Sequence, residues 1–518
     1  MITLHGVRLT QTPEQLVDIV IEADKIASIT PTRLRPRTGI ILDGDGRLAF
    51  PGFIDAHVHG EAAVFDRDVQ LALLRQGITS IVVGQDGVSF APTRGTGAGD
   101  LESGSTDETF RWASDYFTAI NGKHPSFAGG SVAQLLGTYR DLPVNVAYLA
   151  PHGTIRHAVM GGEQRVATDA EISQMVVLLR EAISDGARGL STGLEYAPSR
   201  YADRRELVAL LAEVATADLL HVSHMRGYEA EAGPAVAELV DLALATGVKT
   251  HISHYHGPGA DLIAMVDDAL NRGVDLTFDS YPYLRGCSIL SMLTMPEWIP
   301  VAEPDRAVEM LHDCAVVERL LTQHLSSFDE IWPRVTLAAV PGKYERVEGQ
   351  KLIDVAAEWD MSPAETALEL LRSTRLAVGC VFAQPPTNSA ASVAQLLRHE
   401  AHMGGSDAIY AGGHPHPRGW GAFAKFLADH VRAAGDWSWE QAEQHLARAA
   451  GDRFHLGRGR LKVGSVADVV LIDPDTVADR ATYEDPRQTA VGIDDVLVAG
   501  RQVLRAGELT AARPGRAL

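Results

Sequence analysis

Pro51-Gly52-Phe53-Ile54-Asp55-Ala56-His57-Val58-His59 is the stretch on which the reading of this chain turns. An apolar run from Leu48 to Ile54 reads as a buried strand, and it leads into two histidines one residue apart. Alternate residues of a strand project to the same face, so His57 and His59 leave its end together. Two neutral imidazoles so placed can grip one divalent cation. Histidine pairs also occur as ordinary surface residues, so the weight of the motif depends on what else the chain brings to the same place.

Downstream, short apolar segments alternate with amphipathic ones. Strands are expected at Ser80–Gly84, Asn145–Ala150, Gly189–Gly193, Leu219–Met225, Val248–Tyr255 and Leu276–Tyr281. Helices are expected at Asp169–Asp185, Arg204–Ala215, Gly233–Thr246 and Leu262–Arg272. Repeated βα units of this length imply a parallel sheet with helices outside. The count fits an α/β fold of the TIM-like (β/α)8 barrel type, with active residues at the carboxyl ends of strands. A doubly wound open sheet is the alternative, but the glycine-rich phosphate turn it leads one to expect after its first strand is missing.

Residues 1–50 and 458–518 share a different texture, with short apolar runs punctuated by glycine and proline. They are expected to form one small β-sandwich domain built from both termini, around a barrel spanning 51–457. Residues 285–382 break the βα rhythm with methionines, tryptophans and helical stretches but no clear strand. This segment is expected to be a helical insertion after strand seven that covers the pocket as a lid. Pro92–Asp107, rich in Gly, Ser and Thr, reads as a polar loop.

The charge balance excludes some partners. With 46 basic and 67 acidic side chains the net charge is -21, which repels nucleic acid and anionic membrane. No run approaches the ~20 apolar residues of a membrane span, and no signal peptide is evident at Met1. Cys287, Cys314 and Cys380 form no C-x-x-C spacing and read as reduced thiols. The expectation is a soluble cytoplasmic protein acting on a small molecule, with its oligomeric state left open.

Two later strands end on histidine in a repeated pattern, Val222-Ser223-His224 and Ile252-Ser253-His254. Successive parallel strands bring equivalent positions side by side, so His224 and His254 fall near His57 and His59. Four imidazoles suit zinc. Asp407, just after a short eighth strand in Gly404-Gly405-Ser406-Asp407, supplies a carboxylate.

With His414-Pro415-His416-Pro417-Arg418 following Asp407, these motifs resemble the metal-dependent amidohydrolase superfamily, and within it the D-aminoacylase (N-acyl-D-amino-acid deacylase) branch. Gly189–Tyr196, Asp279-Ser280-Tyr281-Pro282-Tyr283 and Gly464–Val469 carry the resemblance along essentially the whole chain. It implies one or two zinc ions and Asp407 as both ligand and general base. It also implies that Arg418 and Tyr281 hold a substrate carboxylate.

This chain departs from the pattern in two places. Many members of that branch have a metal-ligating cysteine after strand two, where this chain has Gly84-Gln85-Asp86-Gly87. Asp86 could take that place as a harder ligand. Glu195, at the end of strand four, is the other candidate bridge between metals and is the one preferred on sequence. In the carboxylate pocket, His256 stands where the resemblance implies a lysine and Cys287 where it implies a serine. A histidine there would lose its grip as pH rises through the ~6.5 of a free imidazole. His152, after strand three, is a candidate oxyanion partner.

The chemistry expected is metal-assisted hydrolysis of an N-acyl-D-amino acid. The same chemistry on a dipeptide, a cyclic amide, or a peptide or natural-product amide is the alternative. A non-catalytic binding protein fits less well with an intact ligand set.

Overall fold

The run Leu48–Ile54 is divided between two sheets. In the computed structural model, which describes residues 1–32, 39–93 and 107–518, Leu48–Pro51 pairs antiparallel with Val469–Ile472 and Phe53–Asp55 pairs parallel with Ile78–Val83. Gly52 makes the crossing, since a Cβ there would lie 2.1 Å from Thr79 Oγ1. Most of the polar loop expected at Pro92–Asp107 lies outside the described residues.

Eight parallel strands follow in chain order: β1 Phe53–Asp55, β2 Ile78–Val83, β3 Asn145–Tyr148, β4 Gly189–Gly193, β5 Leu220–His224, β6 Lys249–Ile252, β7 Leu276–Ser280 and β8 His402–Gly404. They form two arcs rather than one continuous ring. One is β1-β2-β3; the other runs from Ala150–Pro151 through β4, β5, β6 and β7 to β8. Leu149 N donates to Val83 O (2.9 Å) at one seam, and Ala56 N donates to Gly404 O (3.1 Å) at the other.

Helices Asp169–Ser184, Arg204–Thr216, Ala232–Thr246 and Gly259–Asn271 separate the strands of the second arc. The first buries Ile172, Met175, Leu179 and Ala182, spaced for one helical face. Thr168 and Glu171 close its N-terminus as a capping box, a device worth about 0.5–2 kcal/mol. Each large apolar side chain buried on such a face contributes roughly 1.5–3 kcal/mol.

Both chain ends meet in one nine-stranded sheet. The expected sandwich is therefore a single hydrogen-bonded sheet with two covered faces. Ala49, Val469 and Leu471 face a small core with Leu4, Val17 and Ile19, while Leu48, Phe50, Val470 and Ile472 pack into the main core. The last residues leave this sheet for β3, where Val146 N donates to Arg516 O and Leu518 N donates to Val146 O.

The segment after β7 is not purely helical. Arg285–Ile289, Val335–Ala339 and Gly379–Ala383 form a three-stranded antiparallel sheet, with its own apolar core around Leu290, Trp332, Leu337 and Leu371. Its strands are short and separated by long helical connections, so no alternation stands out in the sequence. Among the described residues no helix is long and apolar enough to cross a membrane.

Candidate active site

Strand ends and the turns after them place the polar side chains. His224 is the last residue of β5, and His254 lies two residues beyond β6. The Asp407 turn is tied to the end of β1: Asp407 N donates to His57 O (2.8 Å) and Ser406 N to Asp55 Oδ1 (2.9 Å). Asp86, His254 and Asp407 have φ of 55°, 37° and 50°. Such left-handed backbone is uncommon outside glycine and collects at functional sites. Close approach seats Asp86. A Cβ on Gly87 would lie 2.6 Å from Gly193 N, and one on Gly193 would lie 2.0 Å from Asp86 O. The two glycines let the turn after β2 press onto the end of β4.

The outcome is a buried cluster with Asp86 at its centre. Asp86 Oδ1 is 3.7 Å from both His57 Nε2 and His254 Nε2, and Oδ2 is 3.4 Å from His59 Nε2 and 3.8 Å from His224 Nδ1. Asp407 Oδ1 is 3.6 Å from both His57 Nε2 and His59 Nε2. These separations are long for hydrogen bonds. Two ligand atoms about 2.0–2.2 Å from one zinc ion at a tetrahedral angle stand about 3.4 Å apart. His57 Nε2 and Asp86 Oδ1 are buried without a hydrogen-bond partner, a costly arrangement unless a cation satisfies them. Nitrogen and oxygen donors of this kind fit a divalent transition metal. Two triads have ligand atoms mutually within 4.8 Å, His57–Asp86–His254 and His57–His59–Asp407.

A second layer orients the imidazoles. Asp279 Oδ2 lies 3.3 Å from His57 Nδ1 and 2.9 Å from His251 Nε2, and its Oδ1 accepts from His254 N. Asn121 Oδ1 is 3.1 Å from His59 Nδ1. Such partners fix tautomer and ring orientation. Asp279 appeared in the sequence only within a resemblance motif, and nothing local marks Asn121.

The two carboxylates dominate the electrostatics of the cluster. Burial alone would lower His59, but the neighbouring Asp407 and Asp86 carboxylates outweigh it and lift the imidazole to about 10. Burial would raise Asp86, yet His254, His57 and His59 hold its carboxyl well below the usual range. Burial would likewise raise Asp407, and Arg418 leads the interactions that bring it down to about 2. Two ionised carboxylates among imidazoles require positive charge, which Arg418, a proton on His59 or a bound cation in that proton's place can supply.

The other residues singled out in the sequence divide. Glu195, preferred there as the bridge, is half exposed and reaches the outer side of His224, with Oε2 2.8 Å from Nε2. Asp86, not Glu195, occupies the central position: it lies within 3.8 Å of all four imidazoles, whereas Glu195, also lining the cavity, meets His224 from the side away from the cluster. His152 does not reach the pocket; its Nε2 lies 2.8 Å from Glu206 Oε1, beside Arg156. His256 lines the cavity stacked on Tyr228, and burial pulls it down to about 4. It is a neutral ring near pH 6.5, so the expected loss of a charged grip at that pH does not arise.

Tyr281 and Cys287 also line the cavity, and burial pushes the Cys287 thiol up to about 11. Arg418 is fully buried, with its guanidinium 4.7 Å from the Tyr281 ring centre and 2.9 Å from Asp407 Oδ2. None of its three nitrogens has an aligned hydrogen-bond acceptor.

Known proteins are similar to this chain. A model of the amidohydrolase family matches residues 41–504. The chain is 31% identical to N-acyl-D-glutamate deacylase of Alcaligenes xylosoxydans xylosoxydans over 98% of this chain and 93% of that one. It is 28% identical to D-aminoacylase of the same organism over 98% and 95%. A crystal structure of N-acyl-D-glutamate deacylase from Bordetella bronchiseptica, complexed with zinc and a phosphonate mimic of the tetrahedral intermediate, has a TM-score of 0.81. The two are 28% identical, and the alignment covers 100% of this chain and 99% of that one. A D-aminoacylase structure concerned with its binuclear metal centre has a TM-score of 0.80 at 26% identity, covering 100% and 99%. The family match, the full-length relatives and the His/Asp cluster at the strand ends agree: this chain belongs to the amidohydrolase family.

Proposed function

We propose that the protein is a zinc-dependent hydrolase that removes the acyl group from an N-acyl amino acid of D configuration, releasing a carboxylate and the free amino acid. The two arcs of parallel strands are read as one (β/α)8 barrel, with residues 51–457 as the catalytic domain, 285–382 inserted in it, and the sheet of both termini packed against it. The observation that carries the reading is the buried set of His57, His59, Asp86, His224, His254 and Asp407, in which imidazole nitrogens stand 3.4–3.8 Å from the carboxylate oxygens of Asp86 and Asp407. These residues would hold one or two zinc ions, with Asp86 central among them.

Zinc held by these residues would supply Lewis-acid chemistry, making a water available for attack at neutral pH and polarising the scissile carbonyl. Asp407, ionised and aimed into the cluster, takes the proton of the attacking water. It then returns that proton to the leaving amine nitrogen, which departs as a neutral amine. Arg418 and Tyr281, beside Asp407, receive the substrate carboxylate; a planar guanidinium pairs with it at two points. Asp279 and Asn121 keep the imidazoles in register. D configuration is supported by the relatives, which are named for D-configured substrates.

Steady-state hydrolysis of matched N-acetyl-D- and N-acetyl-L-amino acids by the metal-loaded protein tests the reading. Turnover of the D series, with the L series at least about tenfold slower, is expected. Hydrolysis of neither series contradicts it.

A further inference from the structure

The cavity over the cluster, about 460 Å3, has two unlike ends. Tyr281, Cys287 and Gln384 form one end, against the buried Arg418. The other is an aromatic and aliphatic wall of Trp112, Tyr116, Ile120 and Met292. Trp112 is held rigidly: its indole N–H donates to Ala302 O at 2.8 Å, and its ring stacks on His157 at 4.2 Å between centres.

The cavity also continues outward. Trp112, Gly162, Gln164, Ala302 and Glu303 line a second hollow of about 740 Å3 as well as the first. The outer walls are charged but largely self-paired, with Arg375 bridging Asp305 (2.6 Å) and Asp115 (3.4 Å). Among the described residues lining the inner cavity, the one arginine, Arg200, is ion-paired with Glu297.

We propose that the Trp112 wall is an acyl-group subsite, and that the substrate carries a long or aryl, uncharged acyl group whose far end reaches the outer hollow. The proposal rests on the deacylase reading. With the carboxylate at the Arg418 end and the scissile amide over the metal ligands, the group leaving the opposite side of the amide is the acyl chain. An acetyl group has one methyl to offer, whereas cavities of roughly 300–1,000 Å3 enclose drug-sized ligands. Aromatic faces reward aryl partners beyond area alone. Among the described residues at the Trp112 end of the inner cavity, no unpaired cation would receive an acidic acyl group; the exposed Arg111 lies farther out, on the wall of the second hollow. The reaction itself is unchanged: water supplies hydroxyl to the acyl carbon and a proton to the amine nitrogen as the C–N bond breaks.

Two substrate series separate the acyl group from the amino-acid side chain. The metal-loaded enzyme is assayed on N-acetyl-, N-hexanoyl-, N-phenylacetyl- and N-(3-phenylpropionyl)-D-leucine. It is then assayed on N-acetyl derivatives of D-alanine, D-leucine, D-phenylalanine and D-tryptophan. kcat/KM is expected to rise at least tenfold from acetyl to phenylpropionyl, with a smaller rise across the side-chain series. Trp112→Ala should remove most of the acyl gain and Trp112→Phe should retain it.

Gly162→Phe provides a second test, because a Cβ at Gly162 meets nothing closer than Glu303 Oε1 at 3.5 Å. The added ring should narrow the neck and cut phenylpropionyl turnover at least fivefold more than acetyl turnover. Equal kcat/KM for acetyl and phenylpropionyl overturns the subsite while leaving the deacylase reading intact. So does a gain that follows the amino-acid side chain. Hydrolysis of no member of either series overturns the deacylase reading, and the subsite falls with it.

Discussion

Arg418 stands 2.9 Å from Asp407 Oδ2, with both side chains buried and no aligned hydrogen bond to any guanidinium nitrogen. The arginine helps keep the proposed base ionised, and it still has its hydrogen-bonding capacity to give. In the proposed reaction the recipient is a substrate carboxylate.

Arg418→Lys therefore raises KM for an N-acyl-D-amino acid by at least about tenfold, because an ammonium cannot make the paired planar contact. Amidating the substrate carboxylate has a similar effect on the wild type and little further effect on the variant. Kinetics on the matched acid and carboxamide check this. Equal turnover of both by the wild type removes Arg418 from carboxylate recognition.

Asp407→Asn keeps the shape of the side chain but cannot take a proton at neutral pH. Turnover falls by about 10²–10⁴-fold, while circular dichroism and most of the bound metal stay as in wild type. A variant keeping more than about a tenth of wild-type kcat contradicts the general-base role.

Asp86→Ala removes a carboxylate that lies within 3.8 Å of all four imidazoles of the cluster. Metal content and activity are expected to fall together, and His57→Ala does the same. Glu195→Gln is milder, since Glu195 meets only the outer nitrogen of His224. Elemental analysis of the purified variants measures the difference. Metal loss in Glu195→Gln with retention in Asp86→Ala reverses the assignment.

Stability depends on pH through buried histidines away from the cluster. Burial lowers His124 and His157 to about 4 and His221 to about 3, against ~6.5 in an unfolded chain. Between those values the unfolded chain takes up protons that the folded one refuses. Their contribution is thus complete above ~6.5 and is lost as pH falls toward 4, on the order of 1 kcal/mol per pKa unit. Urea midpoints of metal-free protein should be lower at pH 5 than at pH 7.5. Equal midpoints contradict this.

Much of this was legible in the sequence because period and spacing report on local structure. Gly189–Gly193 was read as β4 and bears that out to the residue, and the helices within the second arc lie within a few residues of their expected limits. His57, His59, His224, His254 and Asp407 were grouped because each falls at a strand end or just beyond. The centrality of Asp86 was not legible. It depends on backbone packing at Gly87 and Gly193, which no periodicity records. His152 was misplaced because a histidine after a strand can as well turn toward a neighbouring helix, where Glu206 holds it. The sheet in 285–382 was missed because its strands pair across long separations, Cys287 with Val381 and Leu337 with Cys380.

The most direct test of the central claim is a paired measurement of metal content and N-acyl-D-amino acid hydrolysis before chelation, after it, and after zinc is restored. The account predicts roughly one or two zinc ions per chain, activity that falls with their removal, and recovery when they return. Full activity in metal-free protein would contradict it.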